Sequence, residues 1–164
     1  MARQVFSIRQ ATPEDWHRVA DVYSEPAASE ILERAASEIE EYRRGWRLLY
    51  FAESDDGVVG TCGLVFRGRD AGLAGPGGAN IHRLQTAVDQ RRRGIATVLM
   101  NEAEAEAIRR GQVRLTLHVE ADNEPAIALY EKLGFRRTGQ EPDSNEVAYE
   151  KRLAPNRARI YDWP

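Results

Sequence analysis

A mixed α/β domain is predicted, with element order β-α-α-β-β-β-α-β-α-β-β. Three observations carry that prediction. Two apolar, β-prone runs, residues 47–53 and 58–66, are joined by Ser54-Asp55-Asp56-Gly57, a hairpin turn. Residues 113–119 alternate strictly, with Val113, Leu115, Leu117 and Val119 on one side and Arg114, Thr116 and His118 on the other. Residues 94–110 place Ile95, Val98, Leu99 and Ala103 on one helical face and Glu102, Glu106 and Arg110 on the opposite one.

The other elements follow in chain order. Residues 4–9 read as a strand. Thr12, Pro13, Glu14 and Asp15 open a helix that runs to about Tyr23: a hydroxyl cap, a proline in the first turn, then acids at the positive end. Pro26 restarts the chain, and residues 27–44, rich in Ala, Glu, Leu and Arg, predict one helix ended by Gly45. Residues 72–78 form a Gly-rich loop, and residues 81–88 a strand. Glu106 and Arg110 pair along the helix of residues 94–110, which Gly111 stops. Asn123 caps a further helix with Pro125 in its first turn, Ala126, Leu129, Tyr130 and Leu133 on its inner face, and Gly134 at its end. Residues 135–138 and 147–153 close the sheet.

The 164 residues fit a single domain, with a core of about residues 4–153 and a tail over 154–164. That tail is expected to cross a partner copy, line a substrate site or stay unordered. No apolar run approaches the ~20 residues of a membrane span. The start, Met1-Ala2-Arg3-Gln4-Val5, lacks a signal-peptide stretch, so a cytoplasmic protein is expected. One cysteine, Cys62, excludes an intrachain disulfide framework and a multi-cysteine metal site, and reads as a buried small hydrophobe. Trp16 and Trp46 read as core or cleft-lining residues. All but Lys132 and Lys151 of the 23 basic residues are arginines, yet the net charge is −3, against a chain built to hold nucleic acid.

That weak total hides a concentrated site. In residues 84–96, LQTAVDQRRRGIA, a strand feeds a basic turn that opens directly into a helix. The first turn of a helix has unpaired N–H groups and the positive end of the dipole. Gly94 removes a Cβ where an oxygen would approach backbone, and Arg91, Arg92 and Arg93 surround the turn. Such a turn suits a phosphate; the alternative is a solvated basic turn. No Gly-Lys-Ser/Thr follows, so it is not a P-loop, and the dinucleotide glycine triplet is missing. Residues 123–135, NEPAIALYEKLGF, read alone as a capped helix whose Tyr130 belongs to the core.

Taken together, the turn R-x-x-G-x-A at Arg91, Gly94 and Ala96, a helix, a strand, and N-x-x-A-x-x-L-Y-x-x-x-G-F from Asn123 to Phe135 resemble the GNAT superfamily of N-acetyltransferases. The resemblance implies a central, mostly antiparallel, twisted sheet of about six to seven strands. About four helices would flank it, and a splayed strand pair would form the cofactor cleft. It implies acetyl-CoA as co-substrate and no metal. Arg91, Arg92, Arg93, Gly94, Ile95, Ala96 and Thr97 match the pyrophosphate turn. Leu84, Gln85, Thr86, Ala87 and Val88 match the strand that pairs with the pantetheine arm. Many members carry a proline where Val88 stands, so the register is open between residues 84–86 and 86–88. Asn123 matches a residue that touches the cofactor arm or only caps its helix. Tyr130 matches the tyrosine near the CoA sulfur, a general acid toward the leaving thiolate.

The implied reaction is direct attack of a primary amine of a small molecule or peptide, with a backbone N–H stabilising the oxyanion. Three residues are candidates for the base: His82, read as sharing a strand face with Leu84 and Thr86, Glu120 just past a strand end, and His118. The acceptor pocket is expected from the first two helices, residues 67–80 and the tail. Glu25, Glu30, Glu33, Glu38, Glu40 and Glu41 could draw a cationic amine there. Asp143, Ser144 and Asn145 read as a plain turn. No nucleic acid or membrane partner is expected, and a monomer or homodimer is. Alternatives are another acyl donor such as succinyl-CoA, an aminoglycoside acceptor, or a CoA-sensing module without turnover.

Overall fold

The computed structural model describes residues 5–68 and 74–154. Seven strands form one sheet in the order β1-β2-β3-β4-β5-β7-β6. They are β1 (Ser7–Gln10), β2 (Arg47–Ser54), β3 (Gly57–Val65), β4 (Gly78–Thr86), β5 (Arg114–Glu120), β6 (Arg136–Gln140) and β7 (Glu146–Arg152). Every pairing is antiparallel except β4 with β5. Among the described residues four α-helices accompany them: α1 (Ala27–Ser37), α2 (Ile39–Arg43), α3 (Ile95–Arg109) and α4 (Glu124–Lys132). Among the described residues no helix is long and apolar enough to cross a membrane. Of the Gly-rich loop expected over residues 72–78, residues 72 and 73 lie outside the described residues, as do 69–71 and the tail from 155 onward, and Gly78 already belongs to β4.

The β2–β3 hairpin turns at Asp55 and Asp56, with Ser54 paired to Gly57. Both faces of β2 are covered, which is why it reads as a continuous apolar run rather than an alternation. Leu48 and Tyr50 join a core that includes Leu64, Ile81, Leu99, Leu115 and Tyr130. Leu49 and Phe51 join another with Trp16, Val19 and Ala35. Gly60 lets α3 approach the sheet, since a Cβ there would lie 2.8 Å from Ile95 Cγ2. That close approach sets the N-terminus of α3 beside β4.

Three sequence expectations are corrected. The segment after Thr12 winds as a 3-10 helix, Pro13–Asp21. Its apolar residues Trp16, Val19 and Val22 recur every three positions, which suits three residues per turn. The single helix over residues 27–44 breaks at Glu38 (φ −106°, ψ 12°). The break turns the Glu38 carboxylate inward, 3.4 Å from the buried Arg47 Nε, while Gly45 (φ +70°) ends α2 as expected. The strand expected over residues 81–88 starts at Gly78 and ends at Thr86. Ala87 N–H bonds Val59 O, the chain then turns through Val88–Gln90, and Val88 is 75% exposed. Trp16 is core, packed on Tyr42, whereas Trp46 is a half-buried ring flanked by the guanidiniums of Arg44 and Arg67.

Cys62 is fully buried, as expected, and burial pushes its thiol up to about 12. Burial likewise pushes Tyr50 and Tyr130 up to about 12. Each folded value lies above the ordinary 9.0 of a thiol or 10.0 of a phenol, so folding favours the protonated form. The stability these groups contribute is complete below about pH 9 and lost as pH rises toward about 12. Thermal unfolding followed by circular dichroism is expected to give a flat midpoint from about pH 7 to 9 and a steep fall above. Cys62→Ala should remove the earliest part of that fall.

Candidate active site

The geometry turns on the one parallel pairing. β4 and β5 are in register only from Gly78↔Arg114 to Ile81↔Leu117. Beyond that, β5 stays with β7 as far as Glu120↔Glu146, while β4 stays with β3 as far as Thr86↔Gly60. Residues 82–86 therefore turn a strand edge toward a gap in the middle of the sheet. An unpaired edge of this kind accepts an extended ligand as an added strand.

On one side of the gap lies a cleft of about 500 Å³ between β4, the start of α3 and the start of α4. Leu84, Gln85, Thr86, Arg91, Arg92, Gly94, Ile95, Ala96, Thr97, Asn123 and Tyr130 line it. The strand ends at Thr86, so of the two registers only residues 84–86 lie wholly within β4 and along the cleft. Three residues named with these stand aside. Ala87 is buried, Val88 is turned to solvent, and Arg93 Nη1 donates to Gln90 Oε1 at 3.1 Å. Sequence reasoning did not name Gln90, in the turn after β4, or Pro125, Ala126 and Leu129, in α4, which also line the cleft. For Ala126 and Leu129, the inner helical face they share with Tyr130 was the available signal.

Gly94 sits before α3 with φ +79°, and a Cβ placed on it would meet no protein atom within 4 Å. The open space is in the cleft, not in the core. The first α3 bond runs from Val98 N–H to Gly94 O, so the amides of Ile95, Ala96 and Thr97 have no partner within the helix. These features fit a diphosphate: amides, the positive dipole end, and two arginines at the rim. Asn123 Oδ1 caps α4 by accepting from Ala126 N–H at 3.3 Å.

Tyr130 belongs both to the cleft and to a cavity of about 230 Å³ in the gap itself. Its ring meets Phe135 edge-on at 6.1 Å. Burial first, with smaller effects of Cys62 and Tyr23, holds its phenol at about 12, so it is a donor at neutral pH. Among the described residues its hydroxyl has no hydrogen-bond partner.

The gap cavity also takes in His82, Arg83, His118, Glu120 and Glu146. It shares His82, Arg83, His118 and Glu146 with a pocket of about 650 Å³ on the α1 side, which Arg34, Asn80, Glu141 and Ser144 also line. The expectation for His82 is corrected. The register shifts between Thr61↔Gln85 and Gly63↔His82, leaving Arg83 and Leu84 opposite Cys62 alone. This bulge puts His82 in step with Gln85 rather than with Leu84 and Thr86. Burial first, then the guanidiniums of Arg83, Arg47 and Arg34, hold its imidazole well below the usual range. His118 Nε2 donates to Glu141 Oε1 at 2.8 Å, and Glu120 is exposed at the mouth of the gap. The turn over residues 143–145 joins the pocket wall through Ser144, and none of the acids named in the first two helices lines it.

A parted strand pair, an amide-lined cleft on one side and an ionic pocket on the other give the layout of a two-substrate transferase. The sequence profile of the acetyltransferase (GNAT) family matches residues 10–135, most of the chain, and the chain belongs to that family. Solved structures agree on the fold. PaiA N-acetyltransferase from Thermoplasma acidophilum, in complex with coenzyme A, has TM-score 0.71 at 20% identity, covering 91% of this chain and 99% of that one. Ribosomal-protein-alanine N-acetyltransferase from Brucella melitensis has TM-score 0.70 at 24% identity, covering 90% and 99%. IAA acetyltransferase from Bacillus cereus has TM-score 0.68 at 17% identity, covering 91% and 100%. No curated protein sequence matches the chain.

Proposed function

We propose that the chain transfers the acetyl group of acetyl-CoA to a primary amine by direct attack in a ternary complex. One observation carries the reading. The gap cavity shares wall residues with the amide-lined cleft on one side and with the ionic pocket on the other, and Tyr130 lines both the cleft and the gap. A thioester laid along β4 from the first side would meet an amine entering from the second.

Bound there, acetyl-CoA supplies the activated acyl carbon. The amides of Ile95, Ala96 and Thr97, with Arg91 and Arg92, would hold its diphosphate. The edge of residues 84–86 would hold its arm and present an N–H to the oxyanion. Tyr130 would protonate the departing thiolate. Glu120 is the base this reading adopts, directly or through one water. Burial, and then the cations around it, make the His82 ring a poor proton acceptor, and Glu141 already holds His118 Nε2.

Gly94→Val tests the cleft. Positive φ costs a non-glycine residue about 1–3 kcal/mol, which a folded domain survives. The added branch would fill the space before α3, so calorimetry should show CoA affinity falling by about 10²-fold, roughly 2.7 kcal/mol. Unchanged affinity in a variant that remains folded would sink the diphosphate assignment. Stabilisation by acetyl-CoA without thiol release, whatever the amine, would mean a sensor rather than an enzyme.

A further inference from the structure

The pocket on the α1 side contains an unusual arginine. Arg83 takes φ +51°, a left-handed conformation that side chains other than glycine rarely hold, and it does so inside the β4 bulge. Its carbonyl is pinned by two hydroxyls, accepting from Thr61 Oγ1 at 2.7 Å and from Tyr23 OH at 3.1 Å. Backbone strain of this kind persists only where the surroundings hold it, and it clusters at ligand sites.

The guanidinium that the bulge presents is half-buried and lines both the gap cavity and the larger pocket. Nη1 lies 3.4 Å from Tyr42 OH. Among the described residues no carboxylate comes within 4 Å of it. Arg9, Arg18, Arg43, Arg47, Arg109 and Arg110 each meet a carboxylate. A half-buried guanidinium without an anion loses hydration and gains no pairing in return, so it is poised for an anion brought by a ligand. The opposite wall is acidic: Glu146 and the His118-bound Glu141, with Glu120 at the mouth.

Resting on the acetyl-transfer reading above, we infer that the acceptor is a small amine that also carries a carboxylate. Arg83 receives the carboxylate while the amine turns toward Glu120 and Tyr130. One planar guanidinium matches a carboxylate with two parallel bonds. A phosphate dianion would face the same carboxylates with Arg83 and an Arg34 already bonded to Glu38 Oε1 at 3.1 Å, and a polyamine would set its second ammonium against Arg83.

The test compares amines matched in shape. With acetyl-CoA, amino acids of different lengths are assayed beside their amides, and phosphoethanolamine beside ethanolamine, by thiol release. At least one amino acid should exceed its amide in kcat/KM by about tenfold, through KM. That preference should fall about fivefold or more in both Arg83→Ala and Arg83→Gly, again in KM rather than kcat. The glycine variant keeps the bulge unstrained, so a preference lost in alanine and kept in glycine would mean that the bulge matters and the guanidinium does not. Preference for amides, or for phosphoethanolamine over every amino acid, overturns the inference. If no amine is acetylated, the transfer reading fails, and the inference is judged by binding alone. Amino acids that raise the melting temperature of the wild type but not of Arg83→Gly support it; none doing so overturns it.

Discussion

Arg47→Ala is expected to remove about 3–5 kcal/mol of folding stability, the usual effect of breaking a buried ion pair from one side. Arg47 opens β2 with no solvent exposure at all, although its formal charge is permanent. Its Nε lies 3.1 Å from Glu41 Oε2 and 3.4 Å from Glu38 Oε2. Glu38 is 4% exposed, so truncation would leave a carboxylate inside the protein facing chiefly Arg34, whose own side chain is 46% exposed. Arg9, by contrast, pairs with Asp15 and Glu53 near the surface, and its removal should cost under about 1 kcal/mol. Urea unfolding at neutral pH measures both. Arg47→Met keeps much of the volume and should be nearly as harmful, while adding Glu38→Gln should recover part of the loss. A change below about 1 kcal/mol for Arg47→Ala would mean that the pairing gains no more than the desolvation of the cluster costs.

The same cluster shows where sequence reasoning stops. α4 was legible because its signals are local: a cap at Asn123, a proline in the first turn, apolar residues at helical spacing and Gly134 beyond the end. β5 was legible because its two faces differ, one in the core and one toward the gap. The break at Glu38 was not, because helix propensity favours glutamate there. Only Arg47, nine positions away and in another element, gives that carboxylate a reason to turn inward. The cleft wall of Arg91, Arg92 and Gly94 to Thr97 was legible because it is one run of a strand–turn–helix, whereas Tyr130 read alone as core and only the resemblance set it beside that run. The facing pocket draws on α1, β4, β5 and the β6–β7 connection, and no spacing rule joins Arg34 to Glu146. The bulge is the sharpest case. Alternation along β4 places His82 beside Leu84, but register is a property of two strands, and the slip against Cys62 reverses that placement.

Tyr130→Phe is expected to lower kcat by about 10²–10⁴-fold while leaving CoA affinity nearly unchanged. The ring would remain, with its edge contact to Phe135 at 6.1 Å, so the fold and the cleft wall are preserved and only the hydroxyl is lost. The pH dependence separates an acid from a wall residue. Burial holds the phenol at about 12, so the proton is present throughout the working range and should be lost only as pH approaches that value. The wild-type kcat profile should therefore rise with pH as the amine loses its proton, then stay level to about pH 10. Glu120→Gln should lower the plateau, because it removes the adopted proton acceptor. Tyr130→Phe should lower the plateau and leave the acid limb where it was. A phenylalanine variant with wild-type kcat on every amine would assign thiolate protonation to solvent entering the gap, and Tyr130 would be part of the cleft wall only.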